Sequence, residues 1–411
     1  MIRHYYTLKH VESELKSIEG SELIECFTQD KGVLLMTFLK GKTDRTLEFS
    51  TIPGIDSLYI RRKFARARKN TVELFPDLLY QKIQNISLLD NERIFRFDFG
   101  GIEAFFYLFG GAKNNCFVVM NGKVVDSFKD SAKYIGEAFS LPDQKIRTFF
   151  EFPDKVTVYE ALSKCDLLLG KHYAEEICTR ELIGKETKMS HLDEQKANSI
   201  YDSALELKRE CLDSRKYYLY VTENKNNLLS LIKLQKNWDI INEYSSISEA
   251  IQSRIINTIK NKKFSGLYNQ LQPKIESEQN KINNKLSHIE DSEKTRKRAE
   301  KYRKWAELLI AQPNPKEKPG DKIDIIDWEG NKTEIKLDPK LNLIQNSEKY
   351  FDKAGKSLQS IKERKKLVPE LKLRKEKLSE ILKRIEKARS FKELEKIKNE
   401  VSERISPVMI K

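Results

Sequence analysis

The chain has 411 residues, 34% of them charged, and a net charge of +14. That length suggests two or three domains, and that charge suggests a polyanionic partner, nucleic acid or an anionic surface. No apolar run approaches the ~20 residues that cross a bilayer, and the N-terminus lacks a signal-peptide core, so a cytoplasmic protein with no membrane partner is expected.

In chain order, a helix fits at about 7–17, with Leu8, Val11 and Leu15 on one face. Val33 to Leu39 reads as a buried strand, and Leu47 to Ile52 alternates with period two before Pro53-Gly54. A second helix fits at 71–83. Arg93 to Phe99 alternates again and ends at Gly100-Gly101; strands at 104–108 and 116–120 follow, with Asn121-Gly122 as the hairpin turn into Lys123-Val124-Val125. Residues 156–206 are helical, and the Leu169-Gly170-Lys171 link reads either as a Gly-broken helical hairpin or as a turn offering backbone N–H groups to a phosphate at Gly170 and Lys171. Tyr217 to Val221 is strand-like, and Ser246 caps the start of a nearly all-helical second half.

In that half, Phe264, Leu267, Leu271, Ile275, Ile282, Leu286 and Ile289 recur at three-, four- and seven-residue steps, as do Leu358, Ile361, Val368, Leu371, Leu378, Leu382 and Ile385. Stripes this narrow suit a coiled-coil seam, and two of them separated by an insert suggest an antiparallel hairpin, kinked at Pro273. Within the insert, Ile323 to Trp328 and Thr333 to Leu337 flank Glu329-Gly330-Asn331 as a β-hairpin. Asp338-Pro339 stops the second strand, and Asn342 caps a helix whose apolar face includes Tyr350 and Phe351. Trp305, Trp328, Tyr350 and Phe351 are expected in the core of this module rather than on a base-stacking platform.

The expected fold class is therefore α+β. An antiparallel-sheet domain occupies 1–150, a small helix-hairpin-helix-like domain 151–210 and a connecting segment 211–257. A long antiparallel coiled-coil arm follows, its first helix at 258–310 and its second, with a C-terminal helix, at 358–411, around a small β-containing middle module at 311–357. Cys26, Cys116, Cys165, Cys178 and Cys211 form no C-x-x-C pair and read as reduced, buried thiols. His4, His10, His172, His191 and His288 form no i, i+4 pair; no metal site and no cofactor is expected.

Two basic clusters are candidate phosphate contacts. Arg61, Arg62, Lys63, Arg66, Arg68 and Lys69 place six cations in nine positions, enough to neutralise several phosphates or simply to solvate one face. The run from Lys294 to Lys304, including Arg296, Lys297 and Arg298, suits a polyanionic partner or is the solvated side of a coiled coil.

The order of segments Ala306 to Gln312, Leu337-Asp338-Pro339 and Asn346 to Phe351 resembles the middle of the NFACT family, some of whose members carry the label fibronectin-binding A. Phe64 to Asn70 followed by Glu73 to Leu78 resembles one bacterial branch of that family. Asn91-Glu92-Arg93-Ile94 sits where the family has an Asp-Arg pair, and Gly111 to Asn115 where it has Gly-Arg-His-Ser-Asn. The resemblance covers essentially all of 1–411. It implies a ribosome quality-control factor that binds large subunits obstructed by peptidyl-tRNA and recruits tRNA (alanyl-tRNA in bacteria) for tailing of the nascent chain without mRNA. The ribosome would perform the peptidyl transfer, so no enzyme is expected. Glu92, Arg93, Lys113 and Asn115 would meet tRNA together with the basic run at 61–69. The arm and module, with Lys294, Asp338, Pro339, Asn346, Tyr350 and Phe351, would meet the large subunit.

Three departures from the pattern matter. Glu92 replaces the family's aspartate, and Ala112 takes the place of an arginine, with Lys113 beside it as a point charge in place of a guanidinium fork. Longer members end in a further RNA-binding domain; here Phe391 to Val401 looks like the helix that leads into it, so truncation of a longer protein is expected. The first domain also resembles formamidopyrimidine-type DNA glycosylases, but Ile2 stands where their reactive proline would be. An adhesin would need an export signal or anchor, and a pure coiled-coil scaffold would leave the basic N-terminal half without a purpose.

Overall fold

The computed structural model describes residues 2–61, 64, 66–67, 70–142, 146–223, 226–236, 238–290, 293–314, 316 and 319–405. The chain divides into two units, 1–261 and 262–411. It is a mixed α+β protein: antiparallel sheets dominate the first unit and long helices the second.

The first unit opens with α1 (Tyr5–Leu15), whose Tyr6, Leu8, Val11 and Leu15 are buried. Two five-stranded antiparallel sheets follow. The first is built from β1 (Glu22–Asp30), β2 (Val33–Lys40), β3 (Thr43–Ser50), β4 (Ser57–Arg61) and β5 (Val72–Glu73), in the order β4-β3-β2-β1-β5. The second is a meander of β6 (Asn85–Leu88), β7 (Ile94–Asp98), β8 (Ile102–Tyr107), β9 (Asn115–Met120) and β10 (Lys123–Ser127). The unbroken apolar run of β2 has a simple cause: both its faces are covered. Leu34, Met36 and Phe38 point into the main core, while Val33 and Leu35 pack with Phe27 on the other side. The sheets meet through aromatic rings, Phe49 of β3 lying 5.3 Å from Phe106 of β8.

The helix expected at 71–83 does not form. Phe75 is left-handed (φ 55°) and Pro76 follows it, so only a single 3-10 turn, Pro76–Leu78, survives. The segment instead runs along β1: Leu74 N–H donates to Cys26 O, Tyr80 N–H to Leu23 O, and Ile83 N–H to Ser21 O. Edge pairing has overridden the helical spacing of its apolar residues.

After the short α2 (Ser131–Tyr134), helices α3 (Val158–Lys164), α4 (Gly170–Arg180) and α5 (Glu194–Asp213) add their apolar faces to the same core as the sheets. Thr157 caps α3 and Asp193 caps α5. A third sheet of β11 (Tyr217–Val221), β12 (Asn227–Ser230) and β13 (Asp239–Tyr244) has β11 in its centre. Ile247, Ala250, Ile251 and Ile255, on the first turns of α6 (Ile247–Glu290), close the core. All five cysteines are buried free thiols, as expected.

In the second unit, α6 continues through Pro273 as one helix and pairs antiparallel with α9 (Val368–Lys387). Leu267, Leu271, Ile275, Ile282 and Leu286 of α6 share a cluster with Leu378 and Ile385 of α9, and Gln279 Nε2 donates to Ser379 Oγ at 2.6 Å. The expected seam is therefore present along Leu267 to Leu286 and Val368 to Ile385, whereas Leu358 and Ile361 lie outside it, Leu358 being 49% exposed. The C-terminal α10 (Phe391–Ile405) folds back to add Leu394, Ile397 and Val401 to that cluster, and Arg384 grips Glu400 through two hydrogen bonds of 2.8 and 3.0 Å.

Between these helices lies a second, separate core. α7 (Glu293–Ile310), the hairpin of β14 (Lys322–Ile326) and β15 (Lys332–Lys336), and α8 (Leu343–Lys366) bury Ala306, Leu309, Ile325, Ile335, Leu343 and Tyr350 together. Asn342 caps α8 in a capping box with Gln345. Trp305 and Tyr350 join this core as expected, but Trp328 is 65% exposed, because it sits in the hairpin turn rather than on the inward face of a strand. Phe351, at 37% exposed, lies at the edge.

Candidate nucleic-acid interface

Glu92 and Arg93 occupy the turn that leads into β7. Asn91 is left-handed (φ 58°), a conformation asparagine tolerates, and Glu92 N–H closes the turn on Leu89 O. This turn puts the Glu92 carboxylate inside: the residue is 8% exposed and neither oxygen has a hydrogen-bond partner. Burial pushes its carboxyl above the usual range, against the pull of the neighbouring Arg93 charge. The Arg93 guanidinium lies over Phe109, 5.3 Å from the ring centre, half-buried. Burial lowers its pKa and the like charge of Arg3 adds to this, opposed by Glu92 and Asp56.

The segment Gly111 to Asn115 enters the same neighbourhood. Gly111–Lys113 is a 3-10 turn on the surface, with Ala112 and Lys113 exposed, whereas Asn114 and Asn115 are buried. Asn115 ties β9 to the bend after β10: its Oδ1 accepts from Cys116 N–H and Lys129 N–H, and its Nδ2 donates to Lys129 O. Its role in the structure is therefore to hold this loop, and its side chain faces inward. Asn114 accepts from Gly110 N–H and donates to Asp56 Oδ2 at 3.3 Å. Asp56, 4% exposed, also accepts from Gly54 N–H and is ion-paired to Arg3 Nε. Gly110 suits this position because its φ of 100° strains other residues, and a Cβ there would displace the Arg3 guanidinium.

The structure thus brings together two stretches that sequence reading had picked out separately, and it adds members that reading missed. Arg3, Asp56, Lys129 and Arg254 belong to no motif; Asp56 pairs with Arg3, and its charge acts on Arg93, Lys129 and Arg254. Only their convergence identifies them, and no pattern of spacing could have signalled it.

The basic run 61–69 lies elsewhere in this unit. Arg61 donates to Glu48 at 2.6 Å, and Arg66 bonds Glu25 and Glu73 while covering the Phe27 ring at 4.4 Å. Both guanidiniums are committed to carboxylates rather than facing solvent alone. Arg62, Lys63, Arg68 and Lys69 lie outside the described residues. Gly170 begins α4 at φ 62°, with the His4 ring against it and His4 Nε2 on Leu169 O at 2.7 Å; Lys171 is exposed beside it. The helix start there is packed by His4, which burial holds neutral with a pKa of about 4.

In the second unit, the basic residues of α7 are exposed, Arg296 pairing with Glu300 and Lys297 with Glu293 at i, i+4, and Lys294 and Arg298 lie among them. The motif residues of the middle module are architectural. Asn346, 2% exposed, bonds the backbone of Asp338, Leu341 and Asn342, and Tyr350 donates to Lys336 O at 2.5 Å. Asp338 receives Lys349 at 3.0 Å, and Pro339 lies in the bend that Asn346 closes.

Residues 4–405 match the family described as NFACT N-terminal and middle domains. Among solved structures, the chain is similar to a fibrinogen-binding protein from Staphylococcus aureus (15% identity over 61% of this chain and 98% of that one, TM-score 0.45). It is also similar to the N-terminal part of a fibronectin/fibrinogen-binding protein from Streptococcus suis (16% identity over 60% and 97%, TM-score 0.42). A third is the N-terminal domain of the fibronectin-binding protein PavA from Streptococcus pneumoniae (15% identity over 61% and 97%, TM-score 0.31). No curated protein matches the chain.

Proposed function

This chain belongs to the NFACT family, and we propose that it is a cytoplasmic ribosome quality-control factor that binds obstructed large subunits and positions tRNA for mRNA-independent tailing of the stalled chain. The observation that carries the reading is the extent of the family match, residues 4–405, which takes in both the sheet-rich unit and the helical unit with its middle module. Two features support it. The chain carries a net charge of +14, suited to a polyanion. The Glu92–Arg93 turn adjoins a cluster of half-buried cations, where guanidinium groups suit phosphate recognition.

On this reading the chain performs no covalent step. It holds an acceptor tRNA, and the ribosome's own peptidyl-transferase centre makes the bond. Arg93 and Lys113 contact tRNA, and the exposed cations of α7 contact rRNA or stalk proteins. Asn346 and Tyr350 act at one remove, by fixing the shape of the module. Glu92 keeps a carboxyl group where the family's pattern has an aspartate, whereas Ala112 removes one cation, so the tRNA grip is weaker at that point than in relatives bearing arginine there.

The test is capture of the tagged chain from cell lysate with sequencing of the RNA that accompanies it. Large-subunit rRNA with one enriched tRNA is the expected result and identifies the tail residue. Retention on immobilised fibronectin with no RNA above background would overturn the reading.

A further inference from the structure

We propose that Arg3, Arg93, Lys129 and Arg254 form an anion site that takes a phosphate group, which on the reading above is a backbone phosphodiester of the bound RNA.

Four cations from four separate segments lie within electrostatic reach of one buried carboxylate. Asp56 is ion-paired to Arg3, and its charge acts on Arg93, Lys129 and Arg254. Arg3 in turn acts on both Arg93 and Arg254. Against four positive charges stand Asp56, Asp130 beside Lys129 and, when ionised, Glu92, so at least one positive charge stays uncompensated (four minus three). Among the described residues, no carboxylate lies within salt-bridge distance of Arg93, Lys129 or Arg254. Burial is the leading cause that lowers the pKa of all three. Unpaired charge in partly desolvated surroundings is costly, and an incoming anion relieves that cost.

Arg254 spends Nε on Asn227 O at 3.1 Å and one Nη1 hydrogen on Gly54 O at 3.3 Å. A guanidinium carries five N–H groups, so three are left over. Beside it, Asn227 is 7% exposed, and its Nδ2 is buried with no hydrogen-bond partner. An orphaned amide donor on the residue whose carbonyl holds an under-used guanidinium suits an acceptor with several oxygens. Phosphate supplies them, and arginine forks match its geometry. Gly111 leaves the rim open, since a Cβ there would meet nothing within 4 Å.

The experiment uses the purified full chain in two arms. Binding of fluorescein-labelled bulk tRNA is followed by anisotropy across a potassium chloride series, and protection by inorganic phosphate is followed by thermal unfolding. Arg254→Gln and Lys129→Gln should each lower the log–log salt slope by about 1 and weaken tRNA binding roughly tenfold, and each should reduce the phosphate-induced rise in melting temperature. Arg254→Lys, which keeps the charge, should restore the slope. Because Arg254 also braces Gly54 and Asn227, Lys129→Gln decides the matter if Arg254→Gln lowers stability.

Unchanged slopes and affinities in variants with wild-type circular dichroism would overturn the site while leaving RNA binding intact. Phosphate protection lost in the variants, with no tRNA binding by the wild type, would keep the site as one for a free phosphate and sink the tRNA reading instead. If the wild type responds to neither ligand, both fall.

Discussion

Asn346→Ala in the middle module isolates the effect of a buried polar network from that of apolar packing. The Asn346 amide accepts from Asp338 N–H at 2.8 Å and faces three carbonyls, those of Asp338, Leu341 and Asn342, at 3.1 to 3.2 Å. An amide has only two hydrogens, so one of them is shared, and the side chain supplies three bonds' worth of stabilisation. At about 1 kcal/mol net for each, truncation should cost about 3 kcal/mol, because the backbone groups it leaves behind are half-buried. With a urea dependence of about 2 kcal/mol per molar, the midpoint should fall by about 1.5 M. Trp305 and Trp328 report on this unit in a Trp238→Phe background, which removes the tryptophan of the first unit. Asn346→Asp provides the control. It keeps the volume and the bond from Asp338 N–H but offers no donor to the carbonyls, so it should cost as much as alanine. A shift below about 0.5 M for both variants would refute the assignment. Loss in alanine alone would show that space, not hydrogen bonding, is what the asparagine provides.

Elsewhere, Ile385→Ala at the fully buried centre of the helical seam should cost about 2–5 kcal/mol in urea unfolding, whereas Leu358→Ala, half-exposed on α8, should change stability by less than about 0.5 kcal/mol. Arg384→Ala should lose less than about 1 kcal/mol despite its two bonds to Glu400, with the loss shrinking further in high salt, since both groups are over one-third exposed. His4 and His172 are held near pKa 4 by burial, from 6.5 when free. The unfolded chain therefore binds more protons than the folded one between those values. Stability of the first unit should fall as pH drops from 6.5 towards 4 and level off above 6.5. His4→Gln, measured by thermal unfolding across that range, should show a shallower fall, and an unaltered slope would count against a neutral buried His4.

The sequence disclosed most where one physical signal dominated. Strands β2, β3, β7 and β9, the Asn121-Gly122 turn and the Asn342 cap were legible because alternation, turn chemistry and capping are local. The seam between α6 and α9 was legible because its stripe repeats over many turns. Residues 71–83 were misread because Leu74, Leu78 and Leu79 have helical spacing, while the deciding partners lie on β1, some fifty residues upstream. Trp328 was misplaced because the strand ends at Ile326, two residues earlier, and leaves Trp328 in the turn. Of the candidate interface, Glu92 and Arg93 were identified, but Arg3, Asp56 and Arg254 were not. A hub whose members come from the N-terminus, a loop after β3 and a helix past residue 247 has no sequence period to find.

These differences divide the family-like residues into two kinds, and the division rests on exposure. Asn115, Asn346 and Tyr350 are buried and use their polar atoms on backbone groups of their own unit, so their substitution acts on any partner only through shape. Lys113 is exposed, and Arg93 and Arg3 are half-buried with guanidinium hydrogens to spare, so their substitution acts on a ligand directly. Only the second kind should change the salt slope of RNA binding, because only a displaced counterion changes that slope. A stability loss at Asn346 with an unchanged slope, beside a slope loss at Arg93 with unchanged stability, would place each residue in its class. If Asn346→Ala altered the slope as strongly as Arg93→Gln, the distinction between architecture and contact would fail, and the middle module would have to be read as part of the RNA-binding surface itself.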